Sequence, residues 1–300
     1  MKITRLDAPR CAGGENPLWD ARRQVLHYID NGGCKVHSWD PASGQARTLD
    51  MPSVITTLVL QADGGAVVTL RSGIALLDLD SGALEMIHLL PDPPPHVYND
   101  GKVDRRGRFV IGASTANFAS PGPDGGLFRL DPDHSLVRLD GGIHFSNGPA
   151  WSPDGGTLHF SDSWIRTIYA YDYDMERGTV ANRRVFAETH ALGALPDGGT
   201  VDTDGLYWAA IFRAGKIAAW NPDGSLARVI DMPVPLVSSV AFGGPALDRL
   251  YVTTIAHDVA AEAQGKAEPP HPDAGCLFVV EGLGAKGLPE PLFGEDAPAD

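Results

Sequence analysis

One short pattern occurs six times along the chain. Each unit is an alternating strand, a turn rich in Asp, Pro or Gly, a second strand, and a third strand after it. LHYID (26–30), AVVTL (66–70), FVIGA (109–113), LHFSDS (158–163), LYWAAI (206–211) and LYVTTI (250–255) open the units, and their starts lie 40, 43, 49, 48 and 44 residues apart. KVHSWDPASG and QARTLDM complete the first unit, and CLFVVEG and PEPLF the last. A further strand precedes each opener, upstream of turns such as DRRG (104–107), SPDGG (152–156) and TDG (203–205). Periods in the forties with four short strands apiece are the pattern of a propeller, in which stacked sheets bury one another. Almost nothing carries the 3.6-residue period of an amphipathic helix. The expected fold is all-β: a six-bladed β-propeller, four antiparallel strands per blade, one domain over residues 1–300, with a central channel. A pair of β-sandwiches would not produce six like units.

The 35 glycines and 24 prolines are spread along the whole length, as many tight turns require. A hydrophobic share of 43% with 21% charged residues fits a soluble globular chain. A formal charge of −14 argues against a nucleic-acid partner, which needs clustered Lys and Arg. Cys11, Cys34 and Cys276 are odd in number and lack CxxC spacing, so neither a disulfide framework nor a zinc ribbon is expected. Met1 to Asp7 lacks the apolar core of a signal peptide, and no stretch reaches the ~18 apolar residues of a membrane span. A cytoplasmic protein, monomeric or weakly dimeric, with no membrane partner, is the expectation. Longer insertions at 114–126, 186–196 and 256–275 are expected over one face, forming the mouth of the channel.

Polar residues recur at one phase of the repeat. Glu15 precedes Leu26 by 11 residues, Asn99 precedes Phe109 by 10, Asn147 precedes Leu158 by 11 and Asp197 precedes Leu206 by 9. Thr56 and Ser239 occupy the phase in the other two units. Asp, Asn and Gly are also common turn residues: PDGGT occurs at 153–157 and at 196–200, and only the second copy falls at this phase. Two carboxylates and two carboxamides, without thiol or imidazole, form an oxygen-rich set. Hard cations such as Ca²⁺ or Mg²⁺ prefer such donors, and Mn²⁺ and Fe²⁺ are compatible with them.

GGENPLWD (13–20), YNDGKVDRRGRF (98–109), GLFRLDPD (126–133), FSNGPAWSPDGGTLHFSDS (145–163), PDGGTVDTDGLYWAA (196–210) and FGGPALDRLYVTT (242–254), in this order, resemble the gluconolactonase family, which includes regucalcin and luciferin-regenerating enzyme. The resemblance covers nearly the whole chain. It implies hydrolysis of a small-molecule lactone and one divalent metal held by Glu15, Asn147 and Asp197. Ca²⁺ suits these ligands best, with Mg²⁺, Mn²⁺, Fe²⁺ or Zn²⁺ also able to occupy them. It further implies that Asn99 touches substrate or water, and that Asp197 is the general base. A calcium-binding regulatory protein without turnover is the alternative; it would keep the ligands and need neither base nor pocket.

Three positions depart from the family pattern. An Arg often found two residues before the ND asparagine is Val97 here, the stretch 114–118 has no acid, and Asn16 replaces a glycine. Val97, Tyr98, Asn117 and Phe118 are therefore the candidate substrate contacts, for a sugar-like or a less hydroxylated lactone. No GxSxG elbow or HExxH helix competes. His96, His144, His190 and His257 lie near channel loops and read as packing residues. Tyr98, Phe118, Trp164 and Phe212 could shape an apolar pocket, although blade aromatics usually pack between sheets, and Arg213 could meet a substrate carboxylate but reads first as a solvated cation. Trp-Asp occurs only at Trp19-Asp20 and Trp39-Asp40, too rarely for a WD-type interaction propeller.

Overall fold

The computed structural model describes residues 1–116, 122–258, 261–262, 265–266 and 270–295. Six four-stranded antiparallel sheets form the blades of a propeller. A short strand, β1 (Lys2–Arg5), precedes blade 1. Blade 1 holds β2 (Gly14–Asp20), β3 (Val25–Asp30), β4 (Lys35–Trp39) and β5 (Ala46–Asp50). Blade 2 holds β6 (Ile55–Leu60), β7 (Ala66–Leu70), β8 (Gly73–Leu77) and β9 (Leu84–Leu89). Blade 3 holds β10 (His96–Val103), β11 (Phe109–Thr115), β12 (Gly125–Leu130) and β13 (Leu136–Ile143). Blade 4 holds β14 (Ser146–Trp151), β15 (Thr157–Asp162), β16 (Thr167–Asp174) and β17 (Thr179–Glu188). Blade 5 holds β18 (Leu195–Val201), β19 (Tyr207–Phe212), β20 (Lys216–Trp220) and β21 (Leu226–Asp231). Blade 6 holds β22 (Val237–Gly243), β23 (Arg249–Thr254) and β24 (Phe278–Glu281).

The outer strand of blade 6 is β1, paired antiparallel with β24 from Lys2↔Glu281 to Arg5↔Phe278. This corrects the sequence expectation that PEPLF would complete the last unit. Residues 284–295 instead run along the turns at one end of the blades. Thr203 N donates to Lys286 O, Gly287 N to Leu247 O, Phe293 N to Leu60 O and Gly294 N to Gly107 O. These contacts lead from blades 5 and 6 to blades 2 and 3, across the ring, so the segment passes beneath the channel. Lys102 of β10 and Glu290 pair there at 2.7 Å, both largely buried.

Why the strands read as near-continuous apolar runs follows from the stacking. Each blade has a neighbour on both faces, so alternate residues of one strand feed two different apolar layers. In β3, Leu26 and Tyr28 pack toward blade 6 and Ile29 toward blade 2. In β7, Val67 packs toward blade 3 while Ala66, Val68 and Leu70 pack toward blade 1. One such layer lies in each of the six gaps, and burying one Phe or Leu side chain there contributes roughly 1.5–3 kcal/mol.

The innermost strands β2, β6, β10, β14, β18 and β22 neighbour one another around the channel. Each carries a bulge against the next strand of its blade: between Glu15 and Leu18, Ile55 and Thr57, Tyr98 and Gly101, Asn147 and Ala150, Pro196 and Gly199, and Val237 and Ser239. An extra residue interrupts the in-out alternation and re-aims a side chain, and here it does so at the same level of every blade. The bulges lie near the end at which the inner strands begin. The insertions after β11, after β17 and after β23 emerge at that same end, so the mouth and the bulges share one face. Among the described residues no helix is long and apolar enough to cross a membrane.

Candidate functional site

Four strands bring the phase residues together. Asn99 Nδ2 donates to Ser146 O at 2.7 Å and to Asn147 Oδ1 at 2.9 Å, joining blades 3 and 4. Asn147 Nδ2 donates to Ser163 Oγ at 2.9 Å, and Ser163 Oγ donates to Pro196 O at 2.5 Å, which reaches blade 5. These bonds fix both amides: Asn147 turns its oxygen toward Asn99, and Asn99 keeps its own oxygen free of any hydrogen bond among the described residues. Thr57 also donates to Asn99 O, and Thr56 Oγ1 to Tyr98 O at 2.9 Å, so blade 2 supports the β10 bulge from behind.

Glu15 and Asp197 complete the group. Both carboxyls bind protons more tightly than usual: burial is the main cause for each, and Glu15 also feels the charges of Asp197 and Asp100, as Asp197 feels that of Asp100. Asp100, which the repeat phase passed over, is a third carboxylate here, buried like Asp197, while Glu15 is half-buried. It accepts from Gly148 N at 2.9 Å and Gly101 N at 2.8 Å, and burial pushes it up to about 6. Its position follows from the bulge, which spans Asn99 and Asp100 together. Among the described residues, neither Glu15 nor Asp197 is ion-paired to a basic side chain. Lys102, the cation whose charge Asp100 feels, is engaged by Glu290.

This donor set fits a divalent cation. Three converging carboxylates, Asp100 and Asp197 buried and Glu15 half-buried, without a matching positive side chain are costly by themselves, and a small ion of charge two offsets that cost. The oxygens are carboxylate and carboxamide, the hard kind.

The remaining sequence candidates separate. Val97 sits on β10 opposite Ser114, half-buried. Tyr98 lies instead in the apolar layer between blades 2 and 3, against His96 and Phe128, and its hydroxyl is pushed up to about 12 by burial. Asn117 and Phe118 lie outside the described residues. His96 stacks on Phe128. His144 Nδ1 is 2.9 Å from Asp162 Oδ2. His190 begins a 3-10 turn, and His257 Nδ1 is 3.2 Å from Glu262. Trp164 is exposed, and Arg213 lies over Phe212 and makes a two-point ion pair with Asp258.

With the site in view, comparison with known proteins is decisive: the model of the SMP-30/Gluconolactonase/LRE-like region matches residues 13–256. The chain belongs to this family. It is 33% identical over 277 residues to a regucalcin of Danio rerio, covering 92% of each chain. It is 33% identical over 290 residues to a pentonolactonase of Haloferax volcanii, covering 97% of each. With a 6-deoxy-6-sulfogluconolactonase of Pseudomonas putida it shares 35% identity over 282 residues, 93% of this chain and 94% of that one.

Against the family pattern, the departure at Asn16 has a backbone explanation. Asn16 has φ 48° inside the β2 bulge, and Gly148 holds the equivalent place in β14 with φ 56°. Asn is among the residues that best tolerate this left-handed region, and its side chain is used. Asn16 Oδ1 accepts from Leu58 N at 2.7 Å, tying blade 1 to blade 2. At Gly148 a side chain is excluded twice, because a Cβ would also lie 2.3 Å from Tyr207 Oη. Asn16→Ala is expected to cost about 2–4 kcal/mol, from the stranded Leu58 N–H and the left-handed backbone together. Asn16→Gly removes the second term alone and falls roughly 1 kcal/mol short of that loss. Urea unfolding of both variants checks the order; equal losses would contradict it.

Proposed function

We propose that the chain hydrolyses a small-molecule lactone at the channel mouth, with Glu15, Asn147 and Asp197 as ligands of one divalent cation. The observation that carries this reading is the convergence of two carboxylates and two oriented carboxamides at one end of the channel, with no basic side chain paired to either carboxylate. The lactone-hydrolysing relatives named above support the reaction class. Ca²⁺ is the ion best suited to an all-oxygen set.

When bound, the cation supplies an electrophile that draws charge from the ring carbonyl. Asp197 accepts a proton at its carboxylate from the attacking water. Asn99, held by Ser146 O and Asn147 Oδ1, offers its free oxygen to water or to a substrate hydroxyl. Asp100 holds the Gly148 and Gly101 amides and thereby the blade 3 to blade 4 junction on which both carboxamides stand. A lactone is a reactive ester, so a carboxylate base of modest strength suffices. Val97 gives substrate an apolar side chain where an arginine would pair with hydroxyls, and we read the preferred lactone as one with fewer hydroxyls on that side.

Proton release from a panel of lactones, with stripped and ion-restored protein, tests this. Ion-dependent turnover favouring dihydrocoumarin and alkyl butyrolactones over xylono- and gluconolactones is the expected result. Preference for the sugar lactones would refute the role given to Val97. Tight Ca²⁺ binding with no turnover on any lactone would refute the enzyme and favour a calcium-binding protein.

A further inference from the structure

The seam at which the ring closes holds a second group of ligand-type side chains, which the channel does not use. Cys11 lies in the segment that leads from β1, in blade 6, to β2, in blade 1. Asp30 ends β3 and His37 lies in β4. All three are buried, at 3%, 4% and 3% exposure, and one ligand atom from each lies within 4.8 Å of the others. Their placement is set by backbone. Cys11 N donates to Gly275 O at 2.9 Å, and Ala12 N and Gly13 N donate to the two oxygens of Asp30 at 3.1 and 2.8 Å. His37 pairs across the strands with Tyr28, and Asp30 stands two residues further along β3, on the same face of the sheet.

His37 supplies an independent sign of a missing partner. Its Nδ1 lies 2.8 Å from Thr48 Oγ1, while its Nε2 is buried and has no hydrogen bond. A histidine whose one ring nitrogen is fixed by a hydroxyl and whose other is left bare is the arrangement of a metal ligand with its outer support. A role for Cys11 as a nucleophile does not fit: the thiol is enclosed with Trp19, Tyr28 and Tyr251, and burial raises its proton affinity rather than lowering it.

We propose that Cys11, Asp30 and His37 form a second metal site, suited to Zn²⁺, that clamps the closing segment onto blade 1. One sulfur, one imidazole nitrogen and one carboxylate oxygen are a zinc-type set, with a fourth place open to water or backbone carbonyl. The site thus selects a softer ion than the all-oxygen channel does. Binding takes the proton from Cys11 Sγ to solvent, and the two anionic ligands then neutralise the ion. His37 stays neutral, donating Nδ1–H to Thr48 and its Nε2 lone pair to the metal. The consequence is mechanical: blade 6 is completed by the N-terminal strand, so a clamp on Cys11 secures the joint where a propeller opens.

Co²⁺ titration of the stripped full-length protein tests this, because oxygen ligands in the channel give no thiolate-to-cobalt charge-transfer band. The expected result is such a band in the near ultraviolet, saturating at one equivalent of ion, displaced by Zn²⁺, lost in Cys11→Ser and kept in Cys34→Ser. Zn²⁺ at about a hundred times its Kd is expected to raise Tm by about 5 °C more in the parent protein than in Cys11→Ser, a difference from which any ion in the channel cancels. His37→Gln, which keeps the thiol and tests the site even if Cys11→Ser folds poorly, should weaken Co²⁺ binding at least about tenfold. No charge-transfer band in the parent, or a band that survives Cys11→Ser, overturns the proposal. Failure of lactone turnover leaves it standing, because no readout here depends on the channel.

Discussion

Asp197→Asn is expected to lower kcat at least about 10³-fold while leaving the propeller folded. In the proposed mechanism Asp197 is both base and ligand: loss of a general base alone removes roughly 10²–10⁴ in rate, and the same change would remove one charged ligand from the proposed ion. The substitution is close to isosteric, and Asp197 sits where burial and the charge of Asp100 already disfavour an anion. Stripped of its ion, the variant should therefore be more stable than the parent, since one of three crowded carboxylates, itself buried, has become neutral. The two effects have opposite signs: activity collapses while the Tm of the ion-free protein rises. Measuring kcat and Tm on the same preparations checks both. A fall in activity accompanied by an equal fall in ion-free stability would mean that Asp197 holds the fold rather than the chemistry.

Most of the architecture is readable in the six-fold spacing, because each blade must repeat the same four strands to stack on the next. Glu15, Asn99, Asn147 and Asp197 are found by counting back from each second strand, and the structure brings them together. What counting misses is caused by local backbone. One residue per blade leaves out Asp100, because a bulge turns two successive residues of β10 off the regular alternation. The signal was the Asn99-Asp100 pair itself, an acid beside an amide in the one blade where both precede a glycine. Tyr98 illustrates the converse: adjacent to Asn99 in sequence, it falls on the opposite side of the strand and packs between blades. The last blade is misread because ring closure is non-local. PEPLF looks like a strand, yet hydrogen-bonding places at the edge of blade 6 are taken by Lys2–Arg5 from the other end of the chain.

Removal of the channel ion should carry a pH signature whose sign follows from the same carboxylates. In the ion-free chain Glu15 and Asp197 hold protons more tightly than usual, and Asp100 is raised to about 6. A carboxyl raised above its unfolded value stabilises the fold at low pH, and that contribution is lost as pH climbs through the folded value. For Asp100 this costs the ion-free fold roughly 3 kcal/mol at pH 7, of which about 1–2 is regained by pH 5. The cation offsets the same charges, so protons and cation compete. The Kd for Ca²⁺ is therefore expected to weaken at least about tenfold between pH 7 and pH 5, and the gap in Tm between loaded and stripped protein should narrow. His159, lowered to about 4 by burial, acts in the other direction, because the unfolded chain takes up its proton over this range. It contributes equally to loaded and stripped protein and drops out of the difference. Asp20, held down at about 2, loses its contribution only as pH falls below about 4, outside this window. Calorimetric titration with Ca²⁺ at the two pH values decides the matter. An unchanged Kd would mean that Glu15 and Asp197 do not hold the cation beside Asp100, and the channel would lose its claim to be the metal centre.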